Sequence, residues 1–324
     1  MCIRDRAYWL TSGTASWPKA WTVVADLGSG SSSPEEGALF WREVLSDTER
    51  RLAAGASPLR EARWMVAAVS GIEDDAKLDM PAAPRHLVRL DVLVDRRLAG
   101  EPLQYVLGRW PFRGLDLMID RRVLIPRPET EVVAGYVLEE CNRVAASRPL
   151  GEPVHVADLG CGSGAIGLAV AAEHPAARVW CTDLSTDALA VARANLAGLG
   201  LPARRVSLVE GSWFSALPAC MAGRFDVVVS NPPYVADSEP LPPEVADWEP
   251  QAALRAGPRG TENLVHLVEE ASDWLTPDGA LVLELSPASA NGVAERARSM
   301  GYRVVGVHPD LVGRDRVLVA RRPA

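Results

Sequence analysis

The feature that most restricts the fold is a regular alternation of strand and helix patterns from Pro153 to the C-terminus. Predicted strands at 154–158, 178–183, 205–210, 225–230, 280–285, 302–308 and 316–320 alternate with predicted helices at 165–172, 186–199, 261–275 and 288–300. Such alternation is typical of a doubly wound α/β fold with a mostly parallel sheet. Because ligands of these sheets bind beyond the carboxyl ends of the strands, functional residues are expected directly after them.

A glycine loop joins the first of these strands to the first helix. Residues Asp158 to Gly164 read D-L-G-C-G-S-G, and Gly162 to Gly167 also match the pattern G-x-G-x-x-G. Glycines allow a sharp turn and close approach of backbone to ligand, and the helix N-terminus offers free N–H groups. Asp183 ends the next strand at about the spacing of a ribose-binding acid. Together these residues predict a nucleoside cofactor.

These residues alone are compatible with two cofactors, a nicotinamide dinucleotide and S-adenosylmethionine. Asp158 is awkward beside a pyrophosphate, but it suits a cofactor that carries an ammonium group and a sulfonium. Trp213 follows the third strand, where a flat apolar side chain can pack on adenine. Core packing explains Trp213 about as well, and helix capping ahead of Ser185 is the alternative role for Asp183.

The tetrapeptide Asn231-Pro232-Pro233-Tyr234 follows the apolar strand at 225–230. Its two prolines end the strand pairing and leave a polar amide and an aromatic ring at the sheet edge. A Pro-Pro pair after a strand is most simply a structural turn. The glycine loop expected at the same edge favours a functional role instead.

The remainder of the chain divides by composition and periodicity. Residues 1–36 show no periodicity and are interpreted as a disordered or artefactual extension, and residues 37–100 have the pattern of a small helical bundle. Extended runs at Leu103–Leu107 and Leu115–Ile119 predict a β-hairpin connector over 101–125. The α/β domain then occupies 126–324, and its first residues are P-R-P-E-T-E of the I-P-R-P-E-T-E block.

Bulk properties exclude several classes of protein. The net charge of −8 argues against a sequence-independent nucleic-acid binder. Five cysteines without a C-x-x-C pair predict neither a disulfide framework nor a metal site, and they fit a reducing cytoplasm. No apolar run approaches the ~18 residues of a membrane span, so no membrane association is expected.

In the order of its motifs, the chain resembles the peptide chain release factor N5-glutamine methyltransferases. The resemblance runs from about Leu39 to Arg321 and rests on E-P-L-Q-Y-V-L-G-R, I-P-R-P-E-T-E, D-L-G-C-G-S-G-A-I-G, the acid at Asp183 and N-P-P-Y. The N-P-P-Y motif is shared with methyltransferases that act on amino groups of DNA bases. The I-P-R-P-E-T-E block and the helical segment narrow the match to the protein-glutamine group.

The resemblance implies methylation of the glutamine in the Gly-Gly-Gln motif of release factors, with S-adenosylmethionine as the methyl donor and no metal. The helical segment would dock the release factor. It implies a cofactor site of Gly160, Cys161, Gly162, Ser163, Gly164, Asp183, Trp213 and Asn231, catalytic roles for Asn231, Pro232 and Tyr234, and a substrate slot of Asn231, Pro232, Pro233 and Tyr234. Two departures from the family pattern are Ser212, where an acid is usual, and Ser286–Ser289, in place of a segment with Gly and Gln.

The chemistry agrees with that assignment, because a carboxamide nitrogen is a poor nucleophile that has to be positioned. Acceptors at the Asn231 side-chain oxygen and the Pro232 carbonyl would aim the nitrogen and stabilise its developing positive charge. The rivals are a nucleic-acid adenine or cytosine amino-methyltransferase, a nicotinamide oxidoreductase on the same fold, and a binding module without turnover. The acidic charge speaks against the first, and the second leaves N-P-P-Y without a role.

Overall fold

A computed structural model describes residues 39–323, so the interpretation of residues 1–36 lies outside the described part of the chain. The chain forms two compact units that divide between Gly108 and Arg109. Nowhere in 39–323 is a helix both long enough and apolar enough to cross a bilayer.

The first unit is helical over its described residues. Its helices are α1 (Trp41–Arg51), α2 (Pro58–Ser70), α3 (Pro84–Leu98) and α4 (Leu103–Leu107). Prolines at the first position start α2 and α3, as their fixed φ favours, and Gly71 ends α2 in the left-handed conformation. The helices bury Trp41, Met65, Val66, Leu90 and Val94 in a common apolar core.

The predicted extended run at Leu103–Leu107 is wrong, because this segment is helix α4. A five-residue apolar run has no period of its own, so the pattern cannot separate a short helix from a strand. The helix ends at Gly108, which has φ of 73°. The guanidinium of Arg96 donates to the carbonyls of Tyr105 (3.0 Å) and Val106 (3.2 Å), which satisfies acceptors at the helix end.

The second unit opens with an antiparallel hairpin and a long helix. The hairpin pairs β1 (Arg109–Phe112) with β2 (Leu115–Met118), so its first strand lies C-terminal to the predicted one. Helix α5 (Pro128–Ala146) begins at the second proline of I-P-R-P-E-T-E and carries two acids in its first turn. Negative charge there is favourable because the helix N-terminus is the positive end of its dipole.

A seven-stranded sheet forms the centre of this unit. Its strands are β3 (Val154–Leu159), β4 (Ala177–Asp183), β5 (Val206–Glu210), β6 (Phe225–Ser230), β7 (Leu275–Glu284), β8 (Val304–Pro309) and β9 (Asp315–Arg321). They lie in the order β5-β4-β3-β6-β7-β9-β8, and β9 runs in the direction opposite to the other six strands. The connecting helices are α6 (Ala165–Glu173), α7 (Thr186–Ala197), α8 (Pro243–Ala246), α9 (Glu262–Trp274) and α10 (Ala290–Ser299).

This architecture confirms the predicted doubly wound α/β fold and the helical N-terminal region. The strand order turns back between β3 and β6, since the chain moves outward from β3 to β5 and then returns to β6. Such a switch point opens a crevice at the carboxyl edge of the sheet. The glycine loop follows β3 and N-P-P-Y follows β6, so the fold brings both motifs to the two sides of this crevice.

Candidate active site

A cavity of about 670 Å³ occupies the switch point. Its lining includes Gly162 after β3, Asp183 at the end of β4, Trp213 after β5 and Asn231 after β6. Thr130 of α5 closes another part of the wall. The size lies within the range of small-molecule and cofactor sites. Residues expected from the sequence to share a site are therefore neighbours in space.

The glycine loop forms the floor of the cavity. Gly160, Cys161, Gly162 and Ser163 line it, while Gly164 is the N-cap of α6. A Cβ on Gly160 would lie 3.2 Å from the Trp213 ring, and φ is 71° at this position. Glycine therefore allows the indole to lie against the loop.

Gly167 serves packing between helix and sheet. A Cβ on this residue would lie 2.4 Å from the Cys181 sulfur and 3.0 Å from a carboxylate oxygen of Asp158. No side chain fits there unless its neighbours move. The last glycine of G-x-G-x-x-G thus brings α6 close to β3 and β4, as the motif requires.

Asp183 anchors the glycine loop. One carboxylate oxygen accepts the Gly162 N–H at 2.8 Å, and the other accepts the Ser185 N–H at 2.9 Å. Ser185 itself caps α7 by accepting the Ala188 N–H at 3.1 Å. The capping role considered for Asp183 is thus filled by the Ser185 side chain. Asp183 keeps free acceptor lone pairs on the cavity wall.

Asp158 places a buried carboxyl group at the cavity. It is 1% exposed, lines the cavity and accepts the Gly167 N–H at 2.8 Å. Burial raises the pKa of Asp158 to about 7, the Gly167 hydrogen bond opposes this shift, and the nearby charge of Asp183 adds to it. A cation bound in the cavity would favour the ionised form.

The N-P-P-Y segment is fixed by contacts to three parts of the fold. Ser230, just before it, donates to the Leu159 carbonyl at 2.6 Å and so joins the ends of β6 and β3. The Asn231 side-chain nitrogen donates to Thr130 Oγ1 at 3.2 Å. The Pro233 carbonyl accepts from the Asn263 side chain at 3.1 Å. Asn231 and Pro233 line the cavity, whereas Pro232 is buried.

Two residues that sequence reasoning did not single out complete this network. Thr130 Oγ1 donates to one oxygen of Glu284 at 2.7 Å, and the Tyr234 hydroxyl donates to the other at 3.2 Å. Burial raises the pKa of Glu284 to about 7, against the lowering effects of Thr130, Arg316 and Tyr234. The available signals were a lone acid in the apolar run L-V-L-E-L and a threonine inside I-P-R-P-E-T-E.

The rim of the cavity is held by an ion pair between distant segments. Arg127 pairs with Glu249, whose side chain is 1% exposed, and the other oxygen of Glu249 accepts the Ile125 N–H at 3.1 Å. Nearby, the guanidinium of Arg121 lies 3.8 Å from the centre of the Trp248 ring. These contacts attach 121–127 to 248–249, and both segments continue into residues that line the cavity.

Within 39–323, no three His, Cys, Asp or Glu side chains are grouped so that they could share a metal ion. Four cysteines in this range, Cys141, Cys161, Cys181 and Cys220, are free thiols. Burial raises the pKa of Cys141 to about 12. The hydrogen bond with the Cys181 thiol, together with burial, holds the pKa of Cys161 well above its ordinary value. Cys161 is therefore a neutral thiol on the cavity floor.

Comparisons with known proteins show which proteins the chain is similar to. Residues 147–244 match the family model of the methyltransferase small domain, and residues 43–108 match that of the PrmC N-terminal domain. The chain is 39% identical to the release factor glutamine methyltransferase of Moorella thermoacetica over 87% of its own length and 98% of the relative. It is 40% identical to the release factor glutamine methyltransferase of Deinococcus radiodurans, with the same coverage.

A solved structure shows a more distant likeness. The protein-(glutamine-N5) methyltransferase (release factor-specific) of Alicyclobacillus acidocaldarius is 26% identical, with a TM-score of 0.37. The match covers 62% of this chain and 95% of that one.

Proposed function

Because the chain belongs to the family of release factor glutamine methyltransferases, we propose that it methylates the side-chain amide nitrogen of the glutamine in the Gly-Gly-Gln motif of a release factor. S-adenosylmethionine would be the methyl donor, and the cytoplasm the location. The observation that carries the proposal is the Asn231 side chain, held by Thr130 in the cavity that the glycine loop also lines.

The residues of the cavity fit S-adenosylmethionine in charge and shape. Asp183 has acceptor lone pairs left for ribose hydroxyls, and the Trp213 ring offers a flat apolar surface for adenine. The buried carboxyl of Asp158 suits the cationic methionine end. Backbone of the loop from Gly160 to Gly164 supplies the remaining contacts. When bound, this cofactor supplies a methyl group on a positively charged sulfur.

The chain's contribution to the reaction is to position an amide nitrogen. The Asn231 side-chain oxygen and the Pro232 carbonyl accept the two N–H bonds of the substrate glutamine, so its nitrogen faces the methyl group. Fixing two reacting atoms in line removes much of the entropic barrier. The same acceptors stabilise positive charge that develops on the nitrogen.

Pro233 and Tyr234 form the wall of the glutamine slot in this proposal. Pro233 lines the cavity, and its carbonyl is held by Asn263. Tyr234 is held through its hydroxyl, which donates to Glu284. Loss of the hydroxyl would therefore free the ring as well as remove a donor from a buried carboxylate.

The helical unit is proposed to dock the release factor. Its residues 43–108 match the PrmC N-terminal domain, whereas the cavity is lined by residues of the second unit. Its helix α3 exposes two apolar side chains one turn apart, Val88 and Val92. A protein substrate needs such surface in addition to a slot for one side chain.

The test is a direct competition between substrate classes. The protein is incubated with a radiolabelled methyl donor and either intact release factor, release factor in which the Gly-Gly-Gln glutamine is replaced by alanine, or duplex DNA. The proposal predicts label in the intact factor alone. Label in DNA would instead identify the nucleic-acid amino-methyltransferase, which shares the N-P-P-Y logic.

A further inference from the structure

We infer that Thr130 and Glu284 are positioning residues that orient the amide of Asn231 with its oxygen toward the substrate, and that they select asparagine over aspartate at this position. The inference rests on the proposed function, and it assigns the roles of two residues outside N-P-P-Y. It follows from the hydrogen-bond donors that the side chains of Glu284, Thr130 and Asn231 have between them.

Glu284, the buried acid of the network, determines which group donates in each hydrogen bond. An ionised Glu284 can only accept, and its two oxygens receive the hydroxyls of Thr130 (2.7 Å) and Tyr234 (3.2 Å). The single hydroxyl proton of Thr130 is then used. Its oxygen can only accept from the next neighbour, which is the Asn231 side chain at 3.2 Å.

This requirement settles which end of the Asn231 amide faces Thr130. Only the NH₂ group can donate, so the amide oxygen takes the other direction, and Asn231 lines the cavity. In the opposite orientation, the Asn231 amide oxygen would face the Thr130 oxygen with no proton between them. The network thus supplies the substrate with an acceptor, which is the group that an incoming carboxamide N–H needs.

Two other charged groups near Glu284, Arg316 and Glu129, come from β9 and α5. The Arg316 guanidinium of β9 donates to the Leu285 carbonyl at 3.2 Å and lies 3.5 Å from the Tyr234 hydroxyl. Arg316 and the two hydroxyl donors favour the charged carboxylate, whereas burial and Glu129 of α5 oppose it. Burial outweighs the favourable contacts and raises the pKa of Glu284 to about 7, so the orienting effect should weaken as Glu284 gains a proton.

Aspartate at position 231 would conflict with this network. A carboxylate oxygen would face the Thr130 oxygen without a proton between them, and a second negative charge would stand close to Glu284. Replacing Glu284 with glutamine reverses the donor and acceptor roles along this series of hydrogen bonds. The glutamine NH₂ can donate to Thr130, which frees the threonine proton for an aspartate at 231 and also removes one charge.

The experiment measures steady-state methylation of release factor by N231D, E284Q and the N231D/E284Q double variant. We expect N231D to lower kcat by about a hundredfold, as for a reacting atom misplaced by an ångström. E284Q should lower kcat by about tenfold, and the double variant should recover at least about tenfold over N231D. A double variant no better than N231D would overturn the inference.

Thr130 is tested with a matched pair. T130V keeps the shape but removes the hydroxyl, and we expect kcat to fall by about tenfold or more while KM and the cofactor Kd change by less than about twofold. T130S keeps the hydroxyl and should restore most of kcat. A T130V variant with nearly full kcat, or a loss in T130S as large as the loss in T130V, would contradict the inference.

The pH profile separates positioning from simple structural support. Wild-type kcat should fall on the acid side with an apparent pKa near 7, as Glu284 gains a proton. At saturating cofactor, where the bound cation keeps Asp158 ionised, E284Q should lack this acid limb, and its retention would overturn the role of Glu284. If the wild-type protein methylates no release factor at all, the proposed function fails; if it does and the variants show no coupling, only the present inference fails.

Discussion

Replacing Glu249 with alanine should loosen the rim of the cavity. The Glu249 side chain is 1% exposed, pairs with Arg127 and accepts the Ile125 N–H at 3.1 Å. Its carboxylate therefore ties residues 125–127 to the segment that continues into Pro250. Both segments line the cavity, so the substitution should affect function as well as stability.

The magnitude follows from the burial of the two partners. Breaking a buried ion pair by removing one partner typically costs about 3–5 kcal/mol. The Arg127 side chain is 34% exposed, so the freed guanidinium can regain water, which favours the lower end of that range. The Ile125 N–H also loses its acceptor. We expect the free energy of unfolding to fall by about 3 kcal/mol.

The assay is urea denaturation together with steady-state kinetics on release factor. KM for the release factor should rise, while the cofactor Kd should stay nearly constant, because the glycine loop and Asp183 do not touch this pair. The matched control is Glu269→Ala, which breaks an exposed pair with Arg296 and should change stability by less than about 0.5 kcal/mol. Equal stabilities of the two variants, with unchanged KM, would refute the reasoning.

Three further predictions use other parts of the site. Cofactor affinity should fall about tenfold for each pH unit below 7, since Asp158 with a pKa of about 7 must lose a proton to face a cation; titration calorimetry in two buffers would detect that proton. Gly167→Ala should destabilise by about 1–3 kcal/mol, because its Cβ would overlap the Cys181 sulfur, and adding Cys181→Ala should recover part of the loss in denaturation curves. Replacing Val88 and Val92, which are 67% and 53% exposed, with aspartate should raise KM for intact release factor but leave the rate on a short glutamine peptide unchanged.

Sequence patterns predicted the parts of the fold that are encoded by residues close together in the sequence. Apolar strands, the glycine turn and the prolines after β6 each carry a local signature, and topology then brings the ends of β3 and β6 together. The same reasoning failed at Leu103–Leu107, because the end of that helix is capped by Arg96 from α3. A five-residue segment contains no trace of such a partner.

The supporting network of Asn231 is harder to predict for a related reason. Thr130 and Glu284 are 154 positions apart, and each contacts the N-P-P-Y segment from a different element. Their pairing depends on which strand lies next to β6, and on which face of α5 covers that edge. The sequence showed an acid within an apolar run and a threonine inside I-P-R-P-E-T-E, but nothing that linked the two residues.

The central claim is that Asn231 positions a substrate amide at the cofactor. Mass spectrometry of a release factor treated with wild-type protein or with Asn231→Ala tests it most directly, because it locates the added methyl group. The account predicts a single methyl on the side-chain nitrogen of the Gly-Gly-Gln glutamine with the wild type. With the variant it predicts a loss of about a hundredfold or more at unchanged cofactor affinity. Near-native methylation by Asn231→Ala, or a methyl group on another residue, would contradict it.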